Sequence, residues 1–314
     1  MLVALPHMEG VPQPSSPIPT VFDRALVRRR LARALARPEP DFLFERARED
    51  LADRLAPVQR SFATILELGS PRDGATAALA AAYPEATLVR AAPVVGPAVA
   101  GGATVVADPE ALPFGPERFD LAVSILALHA ANDLPGALVQ VRRSLKPDGL
   151  FVAAFLGGQT LQELRAVLAE AEAELTGGAS PRVAPFTDLR DLGHLLQRTG
   201  FALPVTDLDR VTVRYGSMLG LLGDLRAMGL TNALTDRSRR PTPRRLLLRA
   251  AEIYAERFAD ADGRLRATFD LVWLSGWAPH ESQQKPLKPG SAKMRLADAL
   301  GAREQRIDVT GKAE

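Results

Sequence analysis

The 314-residue chain has no cysteine, which removes disulfides, thiolate nucleophiles, Cys-ligated zinc and Cys-held iron–sulfur clusters together. A reducing compartment is compatible with that absence, and the cytoplasm is the expected location. Lysine is scarce: of 39 basic residues five are Lys and 34 are Arg, which beside abundant Ala reads as codon composition. Against 37 acidic residues they leave a formal charge of +2, so no global field argues for nucleic acid or an anionic lipid surface as a partner. No apolar run approaches the roughly 20 residues needed to span a bilayer. What is present, 46% hydrophobic and 24% charged residues, is enough to bury a sizeable core in one enlarged domain or two.

Residues 1–20 contain MEGVPQPSSPIPT, rich in Pro and Ser and poor in apolar period, and are expected to form a disordered lead without the features of a secretory signal. The following FDRALVRRRLARALA places Phe22, Leu26, Leu31 and Leu35 near a helical period with arginines between them. Such a helix can pack on its own domain, cover a pocket, or touch a membrane surface peripherally; the first is the ordinary role. N-terminal helices are expected over 21–60.

From residue 63 short apolar runs alternate with helical lengths: ATILEL, ATLV, ATVV, FDLAVSI and LFVAAF. That alternation predicts an α/β fold with a doubly wound, mostly parallel sheet, here a core over 61–215. The turn KPDG, Lys146 to Gly149, is expected to separate a helix ending near Leu145 from a strand beginning at Leu150, with Pro147 pre-setting the turn and Gly149 relieving its exit. DLRDLGHLLQRTGF reads as a helix stopped by Gly200 with a strand following, and DRVTVRY alternates like a strand. GSMLGLLGDLRAMG and RRLLLRAAEIYAERFA predict a helical insertion over 216–264. ATFDLVWLSGW predicts a returning strand over 265–280, and a frayed tail follows over 281–314.

Ligands of open α/β sheets bind at the carboxyl ends of strands where the winding reverses. The first strand runs into ILELGSPRDGATAALA, with Glu67 at its end, Gly69 starting the turn and a helix beginning near Gly74. A phosphate-cradling loop needs G-x-x-x-x-G-K-[ST]; Gly69, Gly74, Ala75 and Thr76 keep the spacing but put Ala at the lysine, which excludes nucleotide hydrolysis by that route. A dinucleotide fingerprint fails on Ser70-Pro71-Arg72 and on the missing acid about 20 residues later.

Taken in order, ILELG, VVADPEALPFGPERFDLAVSILALH and LKPDGLFVAAF resemble a class I S-adenosylmethionine-dependent methyltransferase, a Rossmann-like fold, here with extra N- and C-terminal helices. ALHAANDLPGALVQVRRSLKPDGLF, FLGGQTLQELR, SPRVAPFTDLRDLGHLL and GWAPHESQQKPLKPGSA are similar to one branch, that of the respiratory complex I assembly factor implicated in hydroxylating an arginine of an iron–sulfur subunit. Looser similarity reaches the malonyl-carrier-protein O-methyltransferases. The branch resemblance runs from about Phe22 to Ala292.

The resemblance implies that Glu67 and Gly69 hold the methionine part of the cofactor, and that Asp108 with Leu112, Pro113 and Phe114 reaches the adenine. It also implies glycines where this chain has Pro71 and Asp73, and a ribose-binding acid near Ala91, where none stands. Pro71 brings a ring and no N–H to a place where backbone should approach a ligand. The cofactor is accordingly S-adenosylmethionine if binding is retained and otherwise none. The expectation is a methyltransferase-like protein that acts on or binds a protein partner such as a complex I iron–sulfur subunit, with or without catalysis. The alternative is an active O- or N-methyltransferase of a carrier-linked or small-molecule acid.

Several other residues carry two readings. His129, on the side where relatives line the substrate, is a candidate general base or a packed histidine. Gly157, Gly158 and Gln159 make either a close approach to substrate or a turn. Glu163 and Arg165 match the branch's ELR segment but suit a solvated helix face equally well. His194, His280 and Glu281 could form a two-histidine, one-carboxylate iron site, though no spacing demands it and no metal is expected. Trp273 and Trp277 lie four apart on a strand, hence on one face, which suits core packing.

Overall fold

In the computed structural model residues 19–36, 41–69, 74–95 and 102–284 are described. The expected lead and tail therefore lie largely outside them, as do Pro71 and Asp73. The chain divides into Met1–Pro279, which carries every element below, and His280–Glu314.

Two helices precede the sheet, α1 (Arg24–Leu35) and α2 (Phe42–Leu55). Each starts on an aspartate that satisfies an orphan N–H: Asp23 accepts from Leu26 and Asp41 from Phe44. The parallel strands follow as β1 (Thr64–Leu68), α3 (Gly74–Ala82), β2 (Thr87–Ala92), β3 (Gly102–Val106), β4 (Phe119–Ile125), α4 (Leu134–Ser144) and β5 (Leu145–Gly157). Then come α5 (Gln162–Thr176), α6 (Leu189–Arg198), β6 (Ala202–Tyr215), α7 (Met218–Ala227), α8 (Arg244–Phe258) and β7 (Leu265–Trp277).

The seven strands form one sheet in the order β3-β2-β1-β4-β5-β7-β6, parallel from β3 to β5 and antiparallel at β7. The winding reverses between β1 and β4, so their carboxyl ends open a crevice there. Both faces are covered, which is why β4 and the Leu150–Leu156 part of β5 read as mostly apolar runs rather than alternating ones. One face packs under α2, α3, α5, α7 and α8 through residues such as Phe44, Leu79, Val167, Leu225 and Ile253. The other packs under α4 and α6 through Leu138, Val141, Leu192 and Leu196.

The structure redraws two boundaries. The KPDG turn does not separate a helix from a strand: β5 already begins at Leu145, and the turn bulges out between the pairs Phe119–Leu145 and Leu121–Leu150. Its left-handed residue is Asp148 (φ 62°), while Gly149 is needed because a Cβ there would sit 2.8 Å from the Lys146 carbonyl. The strand after Gly200 (φ 85°) and the one read at DRVTVRY are a single 14-residue strand, β6, held along its length by β7.

Candidate functional site

At the carboxyl end of β1 the chain turns on Gly69, whose φ of 74° belongs to the left-handed region. Its N–H donates to the Ala91 carbonyl at 2.6 Å, and a Cβ would lie 2.8 Å from the Cβ of Ala127. Glycine is thus required twice over, by backbone angle and by space. At the end of β4 the chain bends through Leu126 (φ 52°), Ala127 and a 3-10 turn over Leu128–Ala130 that carries His129. Across from it α5 starts on Leu161, also left-handed (φ 56°). A left-handed non-glycine residue costs roughly 1–2 kcal/mol, and both leucines line the same cavity. Strain of this kind gathers at ligand sites, and nothing in their side chains announces it.

The cavity has a volume of about 900 Å³, with Gly69, Pro93, Pro109 and His129 on one side and α1, α5 and α7 on the other. Helix α1 is therefore a wall of the pocket, stitched in place at its start. Phe22 exchanges both backbone groups with the Asn132 side chain, the Asp23 N–H donates to Ala233, and Arg237 pairs with Asp23.

Asp108 stands in the turn after β3, and α1 occupies it. Arg24 Nη2 reaches Asp108 Oδ1 at 2.7 Å, Arg28 Nη1 lies 3.7 Å from Oδ2, and Arg24 Nε lies 3.1 Å from Glu110. Arg24 Nη1 donates to the Ala130 carbonyl at 2.8 Å. Burial pushes the Asp108 carboxyl up, but the Glu110 N–H and the guanidinium groups of Arg24 and Arg28 outweigh it and hold the group below its ordinary range.

Glu67 is engaged too. It is fully buried and faces Arg90 of β2, itself 1% exposed, with 3.2 Å between Oε2 and Nε. The Thr76 hydroxyl donates to the same oxygen at 3.3 Å. Ala91, where the ribose acid is expected, is wholly buried, packs with Leu66, Leu68 and Phe119, and does not line the cavity. The residue that lines it just past β2 is Pro93, which offers neither a carboxylate nor an N–H. Leu112 and Phe114 pack against the α4 side of the sheet, with Phe114 edge-on to Phe119, and do not line the cavity.

His129 lines the cavity, and its Nδ1 has no hydrogen-bond partner among the described residues. Burial, with the Arg24 charge beside it, pushes its pKa down from 6.5 to about 4. An imidazole so weakly basic is neutral at physiological pH and a poor general base there. Because the folded pKa lies below the unfolded one, its stabilising contribution is complete above pH 6.5 and is lost as pH falls from 6.5 toward about 4. Acidification over that window should cost the native protein about 2–3 kcal/mol more than His129→Gln. Urea unfolding at stepped pH measures this, and superimposable curves for the two proteins would remove the assignment.

The remaining candidates resolve into structure. Gln159 N–H donates to Asp270, which is gripped by Arg210 through two contacts, so the glycine pair before it forms a packed turn: a Cβ on Gly157 would lie 2.4 Å from Val272. Glu163 is buried and accepts from the N–H and hydroxyl of Thr268, and Arg165 donates to the Ala184 carbonyl. They hold α5 and the cavity wall in place, which corrects the reading of a solvated face. Trp273 and Trp277 pack on the α2 side of the sheet under Arg54 and Arg60. His194, His280 and Glu281 are exposed, and among the described residues no group of three or more His, Asp or Glu is placed to hold a metal ion. No described helix is long and apolar enough to cross a membrane.

Comparison with known proteins agrees with this architecture. Residues 66–153 match a methyltransferase domain family. The chain is 39% identical over 288 residues to the mitochondrial arginine-hydroxylase NDUFAF5 of Danio rerio, covering 88% of this chain and 89% of that one. It is 32% identical over 275 residues to a malonyl-[acyl-carrier protein] O-methyltransferase of Methylovorus, covering 82% and 90%. Among solved structures, the YcgJ protein of Bacillus subtilis superposes with a TM-score of 0.51 at 13% identity, covering 75% of this chain and 99% of that one, a likeness of fold.

Proposed function

Since the chain belongs to the class I methyltransferase family, in the branch of the arginine-hydroxylase NDUFAF5, we propose that it is a methyltransferase-like protein that acts on or binds a protein partner and has drifted from ordinary cofactor use. The observation that carries this is the closure of both inherited carboxylates by arginines of the same chain, Asp108 by Arg24 and Glu67 by Arg90. The family pattern sets one carboxylate at the cofactor's adenine and another at its ribose; here the first is paired with Arg24, and Pro93 lines the cavity beyond β2. Among the described residues, these two positions do not favour the group. A missing charged hydrogen bond alone weakens binding by about one to two powers of ten.

The partner that this branch suggests is an iron–sulfur subunit of respiratory complex I, met in the cytoplasm or, in a eukaryotic cell, the mitochondrial matrix. Calorimetric titration with S-adenosylmethionine to millimolar concentration should give no saturable heat, while the tagged protein should retain that subunit and its deletion should lower assembled complex I. Submillimolar binding would favour the active O- or N-methyltransferase instead, and normal complex I in a deletion strain would remove the assembly role.

A further inference from the structure

Four arginines converge on the mouth of the cavity from three separate elements: Arg29 of α1, Arg226 of α7, and Arg239 and Arg240 in the segment joining α7 to α8. None of them forms an ion pair among the described residues, and all four are exposed. The cavity's described lining contains a single carboxylate, Asp23, which is already spent on the α1 cap and on Arg237. The local field is therefore positive and unneutralised, although the whole chain carries only +2. Arg30, deeper in the wall, reports the same field: burial together with the charges of Arg237 and Arg33 pushes its guanidinium below the ordinary range.

Beneath this rim much of the chamber's lining is hydrocarbon, shared with Arg24, Arg30, Arg182 and Arg237, each of which has a partner in the fold. Leu161, Leu164 and Leu168 of α5, Leu222 and Leu225 of α7, and Leu247 of α8 line it. Its volume of about 900 Å³ lies in the range of small-molecule sites. A positive ring over an apolar chamber matches a molecule with an anionic head and a hydrocarbon body, and it opposes a cationic one. Among the described residues no ion pair or side-chain hydrogen bond engages the guanidinium groups of Arg226, Arg239 or Arg240, so they are available to an anion at the opening.

We propose that the chamber binds a fatty-acyl anion, with its carboxylate among Arg29, Arg226, Arg239 and Arg240 and its chain against the leucines of α5 and α7. This goes beyond the assembly role and stands without it, because it rests on the rim and the chamber rather than on the closed cofactor anchors.

The test is calorimetry on the full chain with octanoate, decanoate and dodecanoate below their micellar concentrations, beside decanol and decyltrimethylammonium. Saturable one-to-one binding of decanoate is expected, tightening about fourfold for each added methylene. The exposed pair Arg239→Ala, Arg240→Ala should weaken decanoate at least tenfold while leaving the unfolding midpoint in place, and Leu222→Gln should flatten the chain-length series. No saturable binding would overturn the proposal. So would equal affinity for decanoate and decanol, tight binding of the cationic amphiphile, or binding that appears only after residues 1–18 are removed, which would assign the chamber to the chain's own N-terminal segment.

Discussion

Arg90→Met should lower the free energy of unfolding by about 3–5 kcal/mol, because it removes one member of a buried ion pair and takes away the counter-charge beside the other. Glu67 and Arg90 are register partners on adjacent strands, so their side chains leave the same face of the sheet side by side, and both are almost wholly inaccessible. Without the guanidinium, the Glu67 carboxylate loses its 3.2 Å counter-charge in a place water does not reach. The double variant Glu67→Gln, Arg90→Met should recover much of the loss, since it leaves no uncompensated charge. Urea unfolding of the three variants measures both statements. A single-variant loss below about 1 kcal/mol would show that the pair is not holding the strand ends together.

Trp273→Ala should be comparably costly, about 3–5 kcal/mol. Its ring is 2% exposed on β7, between β5 and β6, with the Arg54 guanidinium 4.6 Å from the ring centroid. Trp273→Phe should cost much less, about 1 kcal/mol, because an aromatic surface remains for Arg54 and the indole N–H it removes has no partner among the described residues. Chemical denaturation orders the two. A Phe variant as unstable as the Ala variant would mean that the indole N–H is bonded after all, to a group outside the described residues or to water.

Much of the fold is legible in the sequence because its signals are local. The apolar runs at ILEL, FDLAVSI and LFVAAF become buried parallel strands, and Gly200 stops α6 where a left-handed residue is needed. Boundaries that depend on pairing are not local. The strand status of Lys146–Gly149 comes from Phe119 and Leu121 across the ladder, and β6 is one strand because β7 runs beside all of it.

For the site, the chemistry of single residues is legible and their partnerships are not. Gly69 is identifiable as a turn, and His129 as a residue near the opening, and both line the cavity. The positions of Leu126 and Leu161 are invisible, since their left-handed backbone is imposed by what surrounds them.

The residues along the chain determined by themselves an α/β scaffold of methyltransferase ancestry, with a carboxylate at the end of the first strand, another before LPF, and no acid near Ala91. Only the tertiary structure decided what those carboxylates face. Arg24 lies 84 residues from Asp108 along the chain, and their 2.7 Å contact exists because α1 docks across the crevice. Glu67 meets Arg90 because two strands align in one register and not in its neighbour. A charge written in sequence is a property of one residue, whereas its neutralisation depends on distance, and distance is supplied by packing.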